Sequence, residues 1–285
     1  GEHAQEAVDK AAERVEALDA LLSTGDENSE IYQLNQKGEA TLSEDGGYLV
    51  ERALELYKKT DGAFDIAIYP VMQAWGFPTQ EYHVPDDATL KEKLILADAS
   101  KVNYDKDTRK ISFDRDGMEI DLGGIAKGYT SAQIMQIYQD CGVTSGLVNL
   151  GGNVQALGCK TDGSKWKVAI QSPDDTEDYL GILEIENQAV ITSGGYERYF
   201  EEDGVTYHHI IDPATGYPAD NGLISVTIVS DDGTLADGLS TSLFIMGEEK
   251  AAQFWKENSE KFERIMETAD GKLYVTEGIG DSLTT

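Results

Sequence analysis

The middle of the chain is a succession of strand-like segments with no helical segment among them, and this order constrains the fold more than any other feature. Short apolar runs, broken by glycines and polar turns, carry the chain through residues 146–230. Helical periodicity is confined to flanking segments at 3–22, 47–59, 125–141, 235–247 and 248–258. This pattern lacks the regular βαβ alternation of a parallel sheet. We therefore predict an α+β fold, with a mixed or antiparallel sheet core and flanking helices.

Two further stretches are expected to form short strands. Residues 101–124 are predicted as three strands joined by polar turns, and residues 263–277 as a closing hairpin. No repeat of 20–50 residues and no low-complexity linker divides the sequence. Its length fits one large domain or two small ones.

The chain is strongly acidic. Of its 285 residues, 53 are Asp or Glu and 23 are Lys or Arg, which gives a net charge of −30. Such a field repels nucleic acid and anionic membranes, and a polyanionic ligand would need local cations or a metal ion. Two cysteines provide neither a disulfide framework nor zinc-type spacing. No apolar run reaches the roughly 18 residues of a membrane span.

Three glycine-containing segments fall where strands end. In "DLGGIAKGY" (121–129), glycines join a strand to a helix start, and Lys127 adds a cation. In "NLGGN" (149–153), two glycines permit close approach of the backbone to a ligand. In "ITSGGYERYF" (191–200), Ser193 and Gly194 suit the binding of phosphate or ribose. Each segment is also compatible with an ordinary turn, and the first matches neither a P-loop nor the dinucleotide-binding pattern.

The segment "ADGLSTSLFIMG" carries oxygen ligands at helical spacing. Asp237 and Thr241 are four residues apart and share a helix face, with Ser240 beside Thr241. A carboxylate with hydroxyl oxygens suits Mg²⁺ better than zinc. The alternative is that Asp237 caps the start of the helix.

Two of the four histidines are adjacent, in "VTYHHIIDPATGYPAD" (205–220). In an alternating strand, His208 and His209 point to opposite faces, so at most one faces a given site. A neutral imidazole is a suitable general base near pH 7. The alternative for either residue is a structural role.

Taken in order, these segments resemble the ApbE family of flavin transferases. The resemblance runs from about Ser23 to Gly247 and includes "GAFDIAIYPVMQAWGF", "DLGGIAKGY", "NLGGN", "ITSGGYERY", "HHIIDPATGYP" and "ADGLSTSLFIMG". It implies an ApbE-like, T-fold-related fold and a single domain over residues 1–285, with an N-terminal strand and anchor outside this sequence. It also implies Mg²⁺-dependent transfer of FMN from FAD to a Thr or Ser hydroxyl of an acceptor protein, with release of AMP. The alternatives are an Mg²⁺-dependent FAD pyrophosphatase and a flavin-binding protein without turnover.

The resemblance also implies roles for individual residues. His209 corresponds to the general base, and the metal-binding positions are Asp237, Ser240 and Thr241, with a backbone oxygen from Gly124. The implied nucleotide contacts are Ala63, Phe64, Asp65, Asp121, Lys127 and Ile211. Gly25 stands where relatives often carry a Tyr, which leaves Tyr32 as a substitute, and Gly195 replaces a common Asp.

Family membership would also imply where the enzyme is located and which proteins it modifies. Members are usually extracytoplasmic, and many are lipid-anchored to the outer face of the bacterial cytoplasmic membrane. They modify subunits of respiratory and other electron-transfer systems. We therefore expect such a location and such an acceptor for this chain.

Overall fold

The computed structural model describes residues 3–173 and 178–285, which form two compact units. The sheet unit consists of Gly1–Glu16, Ile125–Tyr196 and Asn221–Thr285, and the aromatic unit of Ala17–Gly124 and Glu197–Asp220. Each unit is assembled from separate stretches of sequence. The single domain expected over residues 1–285 stays a prediction.

The described residues contain α-helices and strands in the order expected for an α+β chain. The helices are α1 (Ala4–Leu22), α2 (Glu30–Lys37), α3 (Glu44–Lys59), α4 (Tyr69–Ala74), α5 (Asp87–Leu94), α6 (Gly123–Asp140), α7 (Gly233–Met246), α8 (Glu248–Asn258) and α9 (Glu277–Gly280). The strands are β1 (Glu39–Thr41), β2 (Val102–Asp105), β3 (Lys110–Phe113), β4 (Gly146–Leu150), β5 (Asn153–Leu157), β6 (Trp166–Gln171), β7 (Tyr179–Ile185), β8 (Ala189–Gly194), β9 (Tyr199–Glu202), β10 (Val205–His208), β11 (Leu223–Ser230), β12 (Glu263–Thr268), β13 (Leu273–Val275) and β14 (Leu283–Thr284). None of the helices in this part of the chain is both long and apolar enough to cross a membrane.

Two antiparallel sheets pack face to face in the sheet unit. The larger has the strand order β13-β12-β11-β8-β5-β4, and the smaller has the order β14-β7-β6. Apolar side chains from both sheets form one core, made of Val154, Val168, Ile170, Leu183, Ile185, Val190, Val229 and Ile265. Helix α7 packs against β8 and β11. The predicted α+β class with an antiparallel core is confirmed.

Strands β8 and β11 are neighbours in the larger sheet, although the residues that connect them in sequence belong to the other unit. Gly194 at the end of β8 pairs with Ser225 near the start of β11. The intervening residues Glu197–Asp220 belong to the aromatic unit and form the β9–β10 hairpin with the loop that follows it.

The aromatic unit has an antiparallel sheet of order β1-β3-β2 and a core of aromatic rings. The rings of Trp75 and Tyr207 have centroids 5.3 Å apart, and those of Tyr82 and Phe200 are stacked at 5.3 Å. The Trp75 indole N–H donates to the backbone oxygen of Gly216 over 2.8 Å. These contacts attach the hairpin and its following loop to α4.

One local strand prediction was wrong, and the short helices α2, α4, α5 and α9 were not predicted. The third strand expected within 101–124 does not form, because the Asn35 side-chain amide takes the place of a neighbouring strand: it bonds the Ile120 nitrogen at 2.8 Å and the Ile120 oxygen at 2.9 Å. Helix α2 spans only eight residues, and its ends depend on a Ser29 cap and on Gly38 in the left-handed conformation at φ 73°.

Candidate functional site

Strand β8 and helix α7 bring three hydroxyl groups together in the sheet unit. Ser193 Oγ lies 2.8 Å from Ser240 Oγ and 3.3 Å from Thr241 Oγ1. The Ser240 hydroxyl donates to the backbone carbonyl of Asp237 over 2.8 Å. Its one proton is thereby engaged, so Ser193 is the donor in the Ser193–Ser240 bond. We call Ser193, Asp237, Ser240 and Thr241 the oxygen cluster.

Asp237 is not the cap of α7. That position belongs to Asp232, whose carboxylate accepts from the Leu235 N–H over 2.9 Å before the helix begins at Gly233. Asp237 lies in the second turn, where the helix satisfies its own backbone. The capping alternative considered for Asp237 is therefore wrong.

The Asp237 carboxylate is buried and has few partners. Its Oδ2 accepts from the Gly128 N–H over 2.7 Å, and the residue is 5% exposed. Burial raises its pKa to about 6, although the Gly128 N–H, the charge of Lys127 and the Asn153 amide all favour the ionised form. The Lys127 side chain is itself exposed. The charge of Lys127 therefore favours ionised Asp237 without a direct hydrogen bond from the lysine side chain.

Gly128 makes this arrangement possible, and sequence reasoning missed it. A Cβ there would overlap the Gly233 carbonyl oxygen and lie 2.6 Å from the Asp237 Cβ. The absence of a side chain lets α6 approach α7 closely enough for the 2.7 Å hydrogen bond. The sequence signal for this close approach is the third glycine of "DLGGIAKGY", which follows the pair Gly123 and Gly124.

The oxygen cluster fits a hard divalent cation by its chemistry. It combines one buried carboxylate with hydroxyl oxygens, which are ligands that Mg²⁺ accepts. Within residues 3–173 and 178–285, no three His, Cys, Asp or Glu side chains are grouped so that they could hold a metal ion. A cation held by the oxygen cluster would depend on hydroxyl, carbonyl and substrate oxygens beside the single carboxylate.

The end of β8 depends on a small residue. Gly194 pairs with Ser225, and a Cβ on it would overlap the ring of Tyr196. The 3₁₀ turn Gly195–Glu197 follows directly. The segment therefore contains an ordinary turn after the strand, and Ser193, at the end of the strand, contacts Ser240 and Thr241.

In the aromatic unit, the Asp65 carboxylate is fully engaged by backbone groups. Its Oδ1 accepts from the Ala67 N–H over 2.7 Å and its Oδ2 from the Ala99 N–H over 3.1 Å. Burial raises its pKa to about 6 in spite of these two donors, and nearby Asp98 raises it further. The carboxylate thus joins two 3₁₀ turns, Ile66–Ile68 and Ala99–Lys101.

The neighbours of Asp65 in the same unit are partly or fully buried. Phe64 is 5% exposed, and its ring lies so close to Gly124 that an added Cβ would be 3.1 Å away. Ala63 is half-buried. Asp121 accepts from the Gly123 N–H over 2.9 Å, and burial of its carboxyl raises its pKa, opposed by that N–H and by Arg198.

The two histidines have separate partners. Strand β10 ends at His208, so His209 lies just beyond the strand rather than within it as predicted. His209 Nδ1 lies 3.1 Å from the Arg198 carbonyl oxygen, and its ring is in edge contact with Phe77. His208 Nε2 lies 3.1 Å from the Ala219 carbonyl oxygen, and burial lowers its pKa.

The loop after His209 is held by short-range contacts. Ile211 forms a bridge with Pro218, and its side chain packs in the core with Trp75. A nucleotide contact at Ile211 would therefore use its backbone. Gly25 is exposed and bonds Ser23, and the roles expected for Tyr32 and Gly195 stay predictions.

Comparisons with known proteins agree with one another. The model of the ApbE family matches residues 2–266. A Klebsiella pneumoniae protein named FAD:protein FMN transferase is 35% identical over 252 residues, covering 87% of this chain and 78% of that protein. The crystal structure of the ApbE protein of Thermotoga maritima aligns with a TM-score of 0.92 at 30% identity, covering 99% of this chain and 92% of that one. The flavin transferase ApbE of Vibrio cholerae aligns with a TM-score of 0.88 at 29% identity, covering 98% and 91%.

Proposed function

The chain belongs to the ApbE family, and on that premise we propose that it transfers the FMN part of FAD to a hydroxyl group of an acceptor protein. The observation that carries the proposal is its match, along most of its length, to proteins named FAD:protein FMN transferase. The oxygen cluster adds independent chemical support, since a pyrophosphate substrate needs charge compensation in a chain of net charge −30.

In the proposed reaction, the Oγ of an acceptor Thr or Ser attacks the FMN-side phosphorus of FAD. An O–P bond forms, the bond from that phosphorus to the bridging oxygen breaks, and AMP leaves with that oxygen. The hydroxyl proton passes to a base on the enzyme. No electrons are transferred, so the flavin ring keeps its oxidation state.

We assign the base to His209. A carbonyl oxygen only accepts, so the contact between Nδ1 and the Arg198 carbonyl places the proton of the neutral ring at Nδ1 and makes Nε2 its basic nitrogen. His209→Ala is expected to lower the transfer rate by about 10²–10⁴-fold. His208→Gln, which keeps a hydrogen-bonding side chain at the neighbouring position, is the control and should lose far less.

We propose that Asp237 and Thr241 hold Mg²⁺, with Ser240, whose hydroxyl already makes two hydrogen bonds, as a weaker third ligand. When bound, the ion would neutralise charge on the pyrophosphate and its leaving group. Lys127 would add a positive charge, and Ser193 and Gly194 would offer a hydroxyl and open backbone to phosphate or ribose oxygens. Gly124 belongs to the aromatic unit, and its backbone oxygen stays a predicted ligand.

The nucleotide contacts proposed in the aromatic unit differ in kind. Asp121 offers a carboxylate to hydroxyl or amide groups of the nucleotide. Phe64 and Ala63 offer surface and backbone, and Ile211 its backbone. Asp65 would act by fixing the turn that follows Phe64, since both of its oxygens already accept backbone hydrogen bonds.

We further propose an extracytoplasmic, lipid-anchored enzyme whose acceptor is a respiratory or electron-transfer subunit. Family membership is the support for this proposal. Protease treatment of intact spheroplasts from the source organism should digest the protein if it faces outward, and protection until lysis would contradict this location.

The decisive experiment is mass spectrometry of an acceptor subunit from the same genome after incubation with this chain, FAD and Mg²⁺. A gain equal to FMN minus water on a Thr or Ser supports the proposal. An unmodified acceptor, together with multiple-turnover release of AMP and FMN from FAD, would instead identify the chain as a pyrophosphatase. Tight FAD binding without any turnover would identify a flavin-binding protein.

A further inference from the structure

Asn153 has a buried amide group that makes no hydrogen bond through its nitrogen within the described residues. The residue is 2% exposed, and its Nδ2 has no partner. Buried donors are paired in almost all native proteins, because leaving one unpaired opposes folding. A donor left in this state calls for an explanation, and the groups around it supply one.

A tight glycine turn places Asn153 at this point. Gly151 and Gly152 have φ values of 58° and 95°, and Leu150 pairs with Asn153 across the turn. This is the two-residue hairpin turn that "NLGGN" permitted. The Asn149 side chain accepts from the Gly152 N–H over 2.8 Å and stabilises the turn from its exposed side.

The side chain of Asn153 lies on the polar face of β5. Val154 points into the apolar core, so alternation puts Asn153 and Gln155 on the opposite face. Gln155 Oε1 accepts from Ser131 Oγ of α6 over 2.8 Å. That face is therefore directed at α6, and Gln155 already has a partner there.

The group beside the Asn153 amide is the Asp237 carboxylate. The Asn153 amide acts on Asp237 as a side-chain hydrogen-bond donor that opposes the rise in the pKa of this carboxyl, yet its Nδ2 makes no hydrogen bond of normal geometry. The Gly128 N–H already fixes Oδ2 at 2.7 Å. Asp237 thus has the Gly128 N–H in contact, with the Asn153 amide and the Lys127 N–H as further donors beside it.

We propose that Asn153 is a positioning residue for the cation site, donating a hydrogen bond to Asp237 when that carboxylate binds a divalent cation. The inference rests on the proposed function, since it takes Asp237 as a cation ligand. A bound carboxylate needs a fixed orientation, and donors behind metal ligands supply it. An amide donor does this without adding charge.

A structural role predicts a different outcome for the same substitution. If the amide only supported the fold, its removal would destabilise the chain and leave cation binding alone. If it is held for the cation-bound state, replacing it with an apolar side chain of similar size should leave the metal-free chain equally stable or more stable. Stability and metal affinity therefore separate the two roles.

The test is Mn²⁺ binding to the full chain without FAD, followed by electron paramagnetic resonance, with thermal unfolding measured in chelator. Asn153→Leu should bind Mn²⁺ about 10- to 100-fold more weakly with an equal or higher melting temperature. Asn153→Ser, which keeps a shorter donor, should bind with intermediate affinity. The matched control is Asn149→Ala on the same hairpin, which should bind like the wild type.

An unchanged Mn²⁺ affinity in Asn153→Leu, or a melting temperature that falls without loss of affinity, would overturn the inference. If the leucine variant does not fold, the Mn²⁺ affinity and melting temperature of Asn153→Ser, each compared with the wild type, decide instead. Wild-type protein that binds no Mn²⁺ would overturn both the cation site and this inference. Normal Mn²⁺ binding with weakened binding in the leucine variant, but no FMN transfer, would overturn only the transferase proposal.

Discussion

Asp65 and Asp237 are buried carboxylates, one in each unit, and burial raises the pKa of both to about 6. Their surroundings differ. Both oxygens of Asp65 accept backbone N–H groups. The carboxylate of Asp237 accepts the Gly128 N–H and lies beside an amide whose nitrogen has no partner. Both raised pKa values are compatible with a functional site, and the difference in hydrogen-bond occupancy is our reason for proposing Asp237 rather than Asp65 as the cation ligand.

The largest effect is expected for Asp237→Asn, which tests whether this carboxylate, unlike Asp65, serves the site. We expect FMN transfer to fall by at least about 100-fold, because the cation loses its only carboxylate ligand. The melting temperature in chelator should stay level or rise, because the amide oxygen can still accept the Gly128 N–H and a buried charge is removed. Transfer assays and thermal unfolding measure both effects. A variant that keeps its activity would remove Asp237 from the site.

The second test is the pH dependence of stability. Because both pKa values are raised, each of these two carboxyls holds more proton in the folded chain than in the unfolded chain between pH about 4 and about 6. The contribution of each group is complete below its unfolded pKa and is lost as pH rises through the folded value. A shift from 3.8 to about 6 corresponds to about 3 kcal/mol for each group.

Denaturant unfolding in chelator from pH 3.5 to 7.5 measures this dependence. The difference between wild type and Asp65→Asn, and between wild type and Asp237→Asn, should decline across the same window. A flat difference for either pair would mean that the carboxyl titrates as it does in the unfolded chain.

The third test is Asp65→Asn, which should lower stability more, and transfer activity less, than Asp237→Asn does. One backbone N–H would face an amide NH₂ rather than an oxygen, which should lower the free energy of unfolding by about 1–3 kcal/mol at pH 7. Transfer well below the melting temperature should fall less than in Asp237→Asn. Equal losses of activity in the two variants would show that Asp65 also contacts the substrate.

The smallest effect is expected for Ser240→Ala. The Ser240 hydroxyl already donates to the Asp237 carbonyl and accepts from Ser193, so it has limited capacity for a cation. We expect a loss of about 1 kcal/mol in stability and less than about 10-fold in transfer rate. A loss as large as that of Asp237→Asn would make Ser240 a full cation ligand.

The sequence predicted whole elements better than it predicted contacts. Apolar periodicity located α1, α6 and α7, and glycines located the β4–β5 turn, because these signals lie within a few neighbouring residues. The strand-like pairing of Ile120 with Asn35 depends on groups 85 residues apart in the chain. No local pattern encodes such pairs.

Within the candidate site, residue types were easier to predict than their partners. The spacing of Asp237 and Thr241 indicated a shared helix face, and Ser193 was selected as a hydroxyl at a strand end. That Asp65 would be engaged by two backbone N–H groups could not be seen, since Ala99 is 34 residues away. Gly128 and Asn153 were passed over because their importance arises only where α6, α7 and β5 meet.

The pairing of Gly194 with Ser225 has a consequence for how this chain can change. The segment that carries His209 starts and finishes at adjacent positions of one sheet, so a change in its length need not alter the register of β8 and β11, although its aromatic residues must still pack in the core with Trp75. Insertions in the β9–β10 turn should therefore leave the oxygen cluster of the sheet unit in place.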